Sequence, residues 1–89
     1  MWFIRLNKIA AKELEKLDRS IQVRVISFLE TRVAFCADPR SLGKSLKGKI
    51  FGKLVRFRVG DYRLICDIKD KEITVLVLRI AHRSGVYDG

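Results

Sequence analysis

The dipeptide Gly60-Asp61 separates two stretches in which apolar and polar residues alternate, LVRFRV before it and YRLICDI after it. A two-residue connection of this composition between alternating runs is the strongest short-range signal for a β-hairpin, and it fixes a register. Val59 falls opposite Tyr62, Arg58 opposite Arg63, and Phe57 opposite Leu64. Side chains alternate along a strand with period two. Val55, Phe57, Val59, Tyr62, Leu64 and Cys66 therefore share one face, and Arg56, Arg58 and Arg63 share the other. Residues 73–82 read as a further strand after a second short connection at residues 69–72. Carrying the register across that connection places His82 on the arginine face.

The apolar face of such a sheet needs a cover. Residues 2–6 are β-branched or aromatic enough for a short first strand, and Asn7 suits the N-cap of a helix bearing Ile9, Ala10, Leu14 and Leu17. Asp18 or Ser20 suits the cap of a second helix, in which Ile21, Val25, Phe28, Leu29 and Val33 recur at helical spacing. Two helices so close in sequence form an antiparallel hairpin. Pro39 stops the helical pattern, and residues 40–53, rich in Gly, Ser and Lys, read as a loop leading into sheet. The expected fold is α+β: an N-terminal helical hairpin packed on a twisted, mainly antiparallel four-stranded sheet. The 89 residues suffice for a single domain over residues 1–89 and are too few for two.

Nineteen Lys and Arg against ten Asp and Glu give a formal net charge of +9. On so small a body that excess attracts polyanions, and on this ground alone nucleic acid, an anionic membrane and an acidic protein are all open as partners. Neither a signal peptide nor a membrane-spanning run is legible; the longest apolar run, residues 73–78, falls far short of the ~20 residues a span requires. Cys36 and Cys66 read as reduced packing residues of a cytosolic protein, and one His with two distant Cys excludes a zinc site.

Like charges directly opposed across a ladder disfavour pairing. Arg58 facing Arg63 beside Arg56 is either a solvated face or a surface awaiting something negative. The loop adds Lys44, Lys47, Lys49 and Lys53, each of them individually an ordinary solvated lysine, and the C-terminal segment adds His82, Arg83 and Tyr87. The acidic residues Glu13, Glu15, Asp18 and Glu30 fall on the helices. Positive charge thus gathers on one side of the sheet, as on a phosphate-binding surface.

The runs LDRSIQVRVISFLE (residues 17–30), DPRSLGKSLKGK (38–49), LVRFRVGDYRLICDI (54–68) and ITVLVLRIAHRSGVY (73–87) resemble the RelE/ParE superfamily of bacterial and archaeal toxins, in particular its RelE branch. The likeness spans nearly the whole chain, and GDYRLI together with a terminal HR..VY is its most specific part. It implies a RelE-like, microbial-ribonuclease-like fold. It also implies the toxin of a type II toxin-antitoxin system: a cytoplasmic, ribosome-dependent, metal-independent endoribonuclease that cuts messenger RNA and needs no cofactor. The implied partners are a cognate antitoxin, the ribosome with its RNA, the message, and operator DNA reached through the antitoxin in a higher-order complex; no membrane is implied.

By the same resemblance, Arg63 corresponds to the arginine that holds the scissile phosphate. Arg56 stands where the family places Lys or Arg, Arg83 near a later catalytic arginine, His82 at a frequent histidine, and Tyr87 at a tyrosine that stacks on a base. Lys44, Lys47, Lys49, Lys53 and Arg58 are the expected RNA-binding residues. The chain departs from the family pattern in having Leu54 and Arg56 where a lysine pair is expected, with Lys53 adjacent, so the general base is open. A terminal helix found in some relatives is not expected beyond Tyr87, and one histidine excludes a two-histidine mechanism.

Cleavage by the RNA's own 2′-hydroxyl needs proton removal, charge stabilisation on the phosphorane and a proton for the 5′-oxygen. An arginine fork suits the second service, and His82 is the side chain that titrates nearest neutrality. His82 also reads as a plain polar strand end, and Tyr87 as a tail anchor. The alternative function is a ParE-like DNA gyrase inhibitor without nuclease activity, and a third is a simple nucleic-acid-binding module.

Overall fold

The computed structural model describes residues 1–46 and 54–85. Its elements run β1 (Phe3–Leu6), α1 (Lys8–Glu15), α2 (Arg19–Ser27), a π-helical continuation (Phe28–Val33), a 3-10 turn (Pro39–Leu42), β2 (Lys44–Ser45), β3 (Leu54–Val59), β4 (Tyr62–Lys69) and β5 (Thr74–His82). Short 3-10 turns, Asp70–Glu72 and Arg83–Gly85, flank β5. The sheet has five strands in the order β1-β5-β4-β3-β2; β1 runs parallel to β5 and every other pair is antiparallel.

Local chemistry accounts for the helical hairpin. The Asn7 side-chain oxygen accepts from the Ala10 N–H at 2.8 Å, satisfying one of the donors that a helix start leaves open. At the far end, Gln22 Nε2 donates to the carbonyls of Leu14 (2.9 Å) and Glu15 (3.2 Å), so α2 caps α1 and sets the angle between them. Asp18 occupies the N-cap of α2 without a side-chain hydrogen bond. The helical spacing read from the sequence buries Val25, Leu29 and Val33 against Phe57, Leu64, Cys66, Val75 and Val77. Phe28 meets Phe57 edge-on at 5.7 Å.

The β3–β4 register is the one the turn dictates: Val59 pairs with Tyr62, Arg58 with Arg63 and Phe57 with Leu64. Gly60 adopts φ +59°, which a side-chain-bearing residue takes up only at a cost.

Two expectations need correction. The segment read as a loop from residue 40 contributes a fifth strand, β2, which pairs Lys44 with Arg56 and Ser45 with Val55. Gly43 permits this, because a Cβ there would lie 2.6 Å from the Arg56 carbonyl and 2.8 Å from the Phe57 ring. The face of His82 is the second correction. The β4–β5 register shifts between Ile65 and Cys66, so that Cys66 pairs with Val77 but Ile65 with Arg79. Leu78 is the extra residue, and a one-residue slip turns every later side chain to the other face. His82 consequently pairs with Tyr62 and shares its face, while Ala81 pairs with Arg63.

Cys36 and Cys66 are free thiols. Burial pushes the Cys66 thiol far above the ordinary cysteine range, so it packs without reacting. Among the described residues no helix is long and apolar enough to cross a membrane.

Candidate nucleic-acid interface

The outer face of the sheet, away from the helices, carries two transverse rows of cations. Register places Lys44 beside Arg56, then Ile65, then Arg79 across β2, β3, β4 and β5. The neighbouring row is Arg58, Arg63 and Ala81. Lys44, Arg56 and Arg58, with Leu42 and Gly43, line a cleft of about 360 Å³. The structure brings Arg56, Arg58 and Arg63 to one face as the alternation predicts, and β2, which sequence reading took for a loop, adds Lys44.

Arg63 is held in place by backbone. Its Nη1 donates to the carbonyls of Gly60 and Tyr62, both at 3.1 Å, so the hairpin turn orients the guanidinium. Partial burial, and then the charges of Arg58, Arg56 and Arg83, lower its pKa from the ordinary arginine value, with Asp61 opposing. Three neighbouring guanidinium groups acting on Arg63 mark a positive field that an incoming phosphate relieves.

Arg83 follows β5, and its N–H donates to the Asp61 carbonyl at 2.7 Å, which ties the C-terminal segment to the same turn. His82 is exposed at the strand end and packs edge-on against Tyr62 at 5.5 Å. Ser84 closes on the His82 ring, the Ser84 N–H donating to Nδ1 at 3.3 Å and the Ser84 hydroxyl lying 3.0 Å from the same nitrogen. Lys47, Lys49, Lys53 and Tyr87 lie outside the described residues.

The acidic residues Glu13, Glu15, Asp18 and Glu30 do fall on the helical segment, but one of them reaches the sheet. Glu13 reaches over the part of β5 that β1 leaves unpaired. It accepts from the Ile80 N–H at 2.8 Å and from Arg79 Nη2 at 2.9 Å, with Nε at 3.2 Å from both oxygens. Burial pushes the Glu13 carboxyl up, but the Arg79 and Ile80 hydrogen bonds and the Arg79 and Lys16 charges outweigh it and hold the group below its ordinary value. Arg79 is thus a basic residue of the outer face that is committed to a structural tie. Arg40 is likewise committed, bonding Asp70 through both terminal nitrogens at 3.1 and 2.6 Å, and Lys69 pairs with Asp67 at 3.4 Å. Sequence reasoning missed Arg79, and also Arg24 and Arg32 of the helical segment, which line a cavity with Arg58.

A family model described as the ParE toxin of type II toxin-antitoxin system, parDE, matches residues 4–87. The chain belongs to this toxin family. It is similar to Toxin RelG of Mycobacterium tuberculosis, 32% identical over 84 residues that span 94% of this chain and 93% of that protein. It is also similar to Toxin RelE of the same organism, 30% identical over 97% of this chain and 86% of the relative. In three dimensions it matches a chain of the Mycobacterium tuberculosis RelBE2 toxin-antitoxin complex with a TM-score of 0.82 and 30% identity, covering 93% of this chain and 92% of that one. A chain of the archaeal RelE-RelB complex from Pyrococcus horikoshii matches at TM-score 0.67 and 26% identity, over 96% of this chain and 98% of the other. The protein is therefore a type II toxin of the RelE/RelG kind, with the RelE-like fold its residue pattern implies.

Proposed function

We propose that this toxin is a ribosome-dependent, metal-independent endoribonuclease that cuts messenger RNA, and that a cognate antitoxin restrains it. The observation that carries the reading is the opposed pair Arg58 and Arg63, with Arg56 and Lys44 alongside, on a face left open by the helices. A sheet that keeps directly opposed arginines forgoes stability, and a bound phosphate chain restores it.

In the proposed reaction the message's 2′-oxygen attacks the adjacent phosphorus. The new 2′-O–P bond replaces the P–O5′ bond and leaves a 2′,3′-cyclic phosphate and a 5′-hydroxyl. Arg63, with Arg56 in support, neutralises the charge that grows on the phosphorane, the contribution that preorganised donors make best. Arg83, fixed to the hairpin turn, neutralises the departing 5′-oxygen. The proton of the 2′-hydroxyl passes to solvent and the departing 5′-oxygen takes one back, with His82 assisting this exchange from the rim of β5, and Tyr87 stacks on a base, a contact worth ~1–3 kcal/mol. Lys44, Lys47, Lys49, Lys53 and Arg58 hold the backbone on either side. The antitoxin partner is supported by the RelB-bound state of the matched structures. Assembly on operator DNA through the antitoxin, and a cytoplasmic site of action, accompany this reading.

Primer-extension mapping of transcripts after a brief pulse of expression tests the function. Cuts phased with codons support it. DNA damage without transcript cleavage would assign the chain to gyrase inhibition, and neither outcome would leave a binding module.

A further inference from the structure

A second basic cavity, of about 460 Å³, lies between the helical segment and the end of β3. Arg24, Ser27, Thr31 and Arg32 line it from one side and Arg58 and Gly60 from the other; among the described residues the lining includes no carboxylate. Arg24 and Arg32 are eight residues apart, more than two turns of α-helix. The wider π segment at Phe28–Val33 takes up that excess and brings both side chains to the same cavity.

The position of Arg24 is set by Gly60. A Cβ on Gly60 would stand 3.1, 3.2 and 3.3 Å from Nη1, Nη2 and Cζ of Arg24. The Arg24 guanidinium thus lies close over the turn at Gly60, on the cavity that both residues line. The same turn receives Arg63 at its Gly60 carbonyl and Arg83 at its Asp61 carbonyl. Arg58 lines both this cavity and the cleft with Lys44 and Arg56. Arg58 therefore joins the basic outer face to the Arg24 and Arg32 side of the cavity, with the Asp61 carboxylate at the hairpin tip the one opposing charge in the turn.

We infer that this cavity is a second backbone subsite, taking an RNA phosphate outside the linkage that is cut. The inference rests on the reading of the outer face as an RNA surface and extends it by naming where the strand leaves that face. Continuity through Arg58 favours a strand already lying on the outer face over a separate acidic peptide. The phosphate belongs either to the message or to ribosomal RNA, and the experiment separates these two.

The probes are a single-stranded 2′-O-methyl RNA 12-mer, which lacks the attacking hydroxyl, and ribosomes without message. Binding of each is measured against salt for the wild type, the Arg24→Ala/Arg32→Ala double variant, and Lys8→Ala/Lys12→Ala, which removes the same charge from α1. One lost phosphate contact on a single strand lowers the slope of log affinity against log salt by about 0.7. Affinity of the Arg24→Ala/Arg32→Ala variant is expected to fall about tenfold at ~0.1 M salt, with the control pair changing little. Loss on the 12-mer assigns the phosphate to the message, and loss on ribosomes alone assigns it to ribosomal RNA. Equal behaviour of the two double variants on both probes overturns the inference. A wild type that binds RNA but cuts no transcript removes the cleavage reading and leaves the subsite standing.

Discussion

Arg58 and Arg63 face one another directly across the β3–β4 ladder, and the turn that joins their strands accepts a hydrogen bond from Arg63 at the Gly60 carbonyl. The turn that creates the repulsion thus also fixes the guanidinium it acts on. Two unit charges ~7 Å apart repel by roughly 2 kcal/mol at an effective dielectric of about 20, and exposure of Arg58 and salt reduce this to under about 1 kcal/mol. Arg58→Thr relieves the repulsion with a residue suited to a strand. Its expected effects are a Tm raised by about 2–4 °C at low salt, a smaller response of Tm to added salt than the wild type shows, and weaker RNA binding. Calorimetry in low and high salt checks this; a lowered Tm would mean that the pair is not repulsive.

Glu13 ties α1 to the unpaired part of β5 through Arg79 and the Ile80 N–H. Its folded pKa lies below the ordinary 4.5, so below that value the unfolded chain takes up the proton first. The contribution of the tie is complete above pH 4.5 and is lost as pH falls through the lower, folded pKa. Glu13→Gln is expected to cost about 1–2 kcal/mol at neutral pH. The difference from wild type shrinks in acid, read as paired urea denaturations from pH 7 down to pH ~3. A gap that stays constant with pH would remove the carboxylate from the account.

Ile73 sits at φ 50° and ψ 45°, in the left-handed region that a β-branched residue takes up at about 1 kcal/mol or more. Its side chain is 48% exposed, so little packing is at stake. Asn accepts this conformation. Ile73→Asn is expected to stabilise by about 0.5 kcal/mol, a rise of roughly 2–4 °C in Tm, and thermal melts decide it.

The bulge at Leu78 turns His82 off the arginine face, so its proton exchange is one that solvent can largely replace. His82→Asn is expected to lower the cleavage rate no more than about tenfold, whereas removing a donor aimed at the phosphorane costs about 100- to 1,000-fold. Single-turnover rates on ribosome-bound message compare the two; equal losses for His82→Asn and Arg63→Ala would return the histidine to the centre of the site.

The contrast between the two hairpins explains what the sequence makes legible. At Gly60-Asp61 one residue type fits the turn, and strict alternation on both sides declares the register, so Arg56, Arg58 and Arg63 fall on one face by reading alone. In β5 the run Val75, Leu76, Val77, Leu78 is apolar throughout. A strand buried on both faces has no period to betray a slip, and the bulge that turns His82 leaves no mark. Glu13 and Arg79 are 66 residues apart, and nothing local pairs them. Arg24 and Arg32 line one cavity across a helix that widens after Ser27, which no propensity in FLETRV announces. The strand β2 needs Gly43 pressed against the Arg56 carbonyl, a long-range fit that reads in sequence as a loop glycine.

The most direct test is the rate at which Arg63→Ala cuts a message held on the ribosome, measured beside its circular dichroism and its affinity for the cognate antitoxin. A loss of at least about 100-fold with fold and antitoxin binding intact is the expected result. Cleavage at the wild-type rate would contradict the assignment of the arginine face to the reaction.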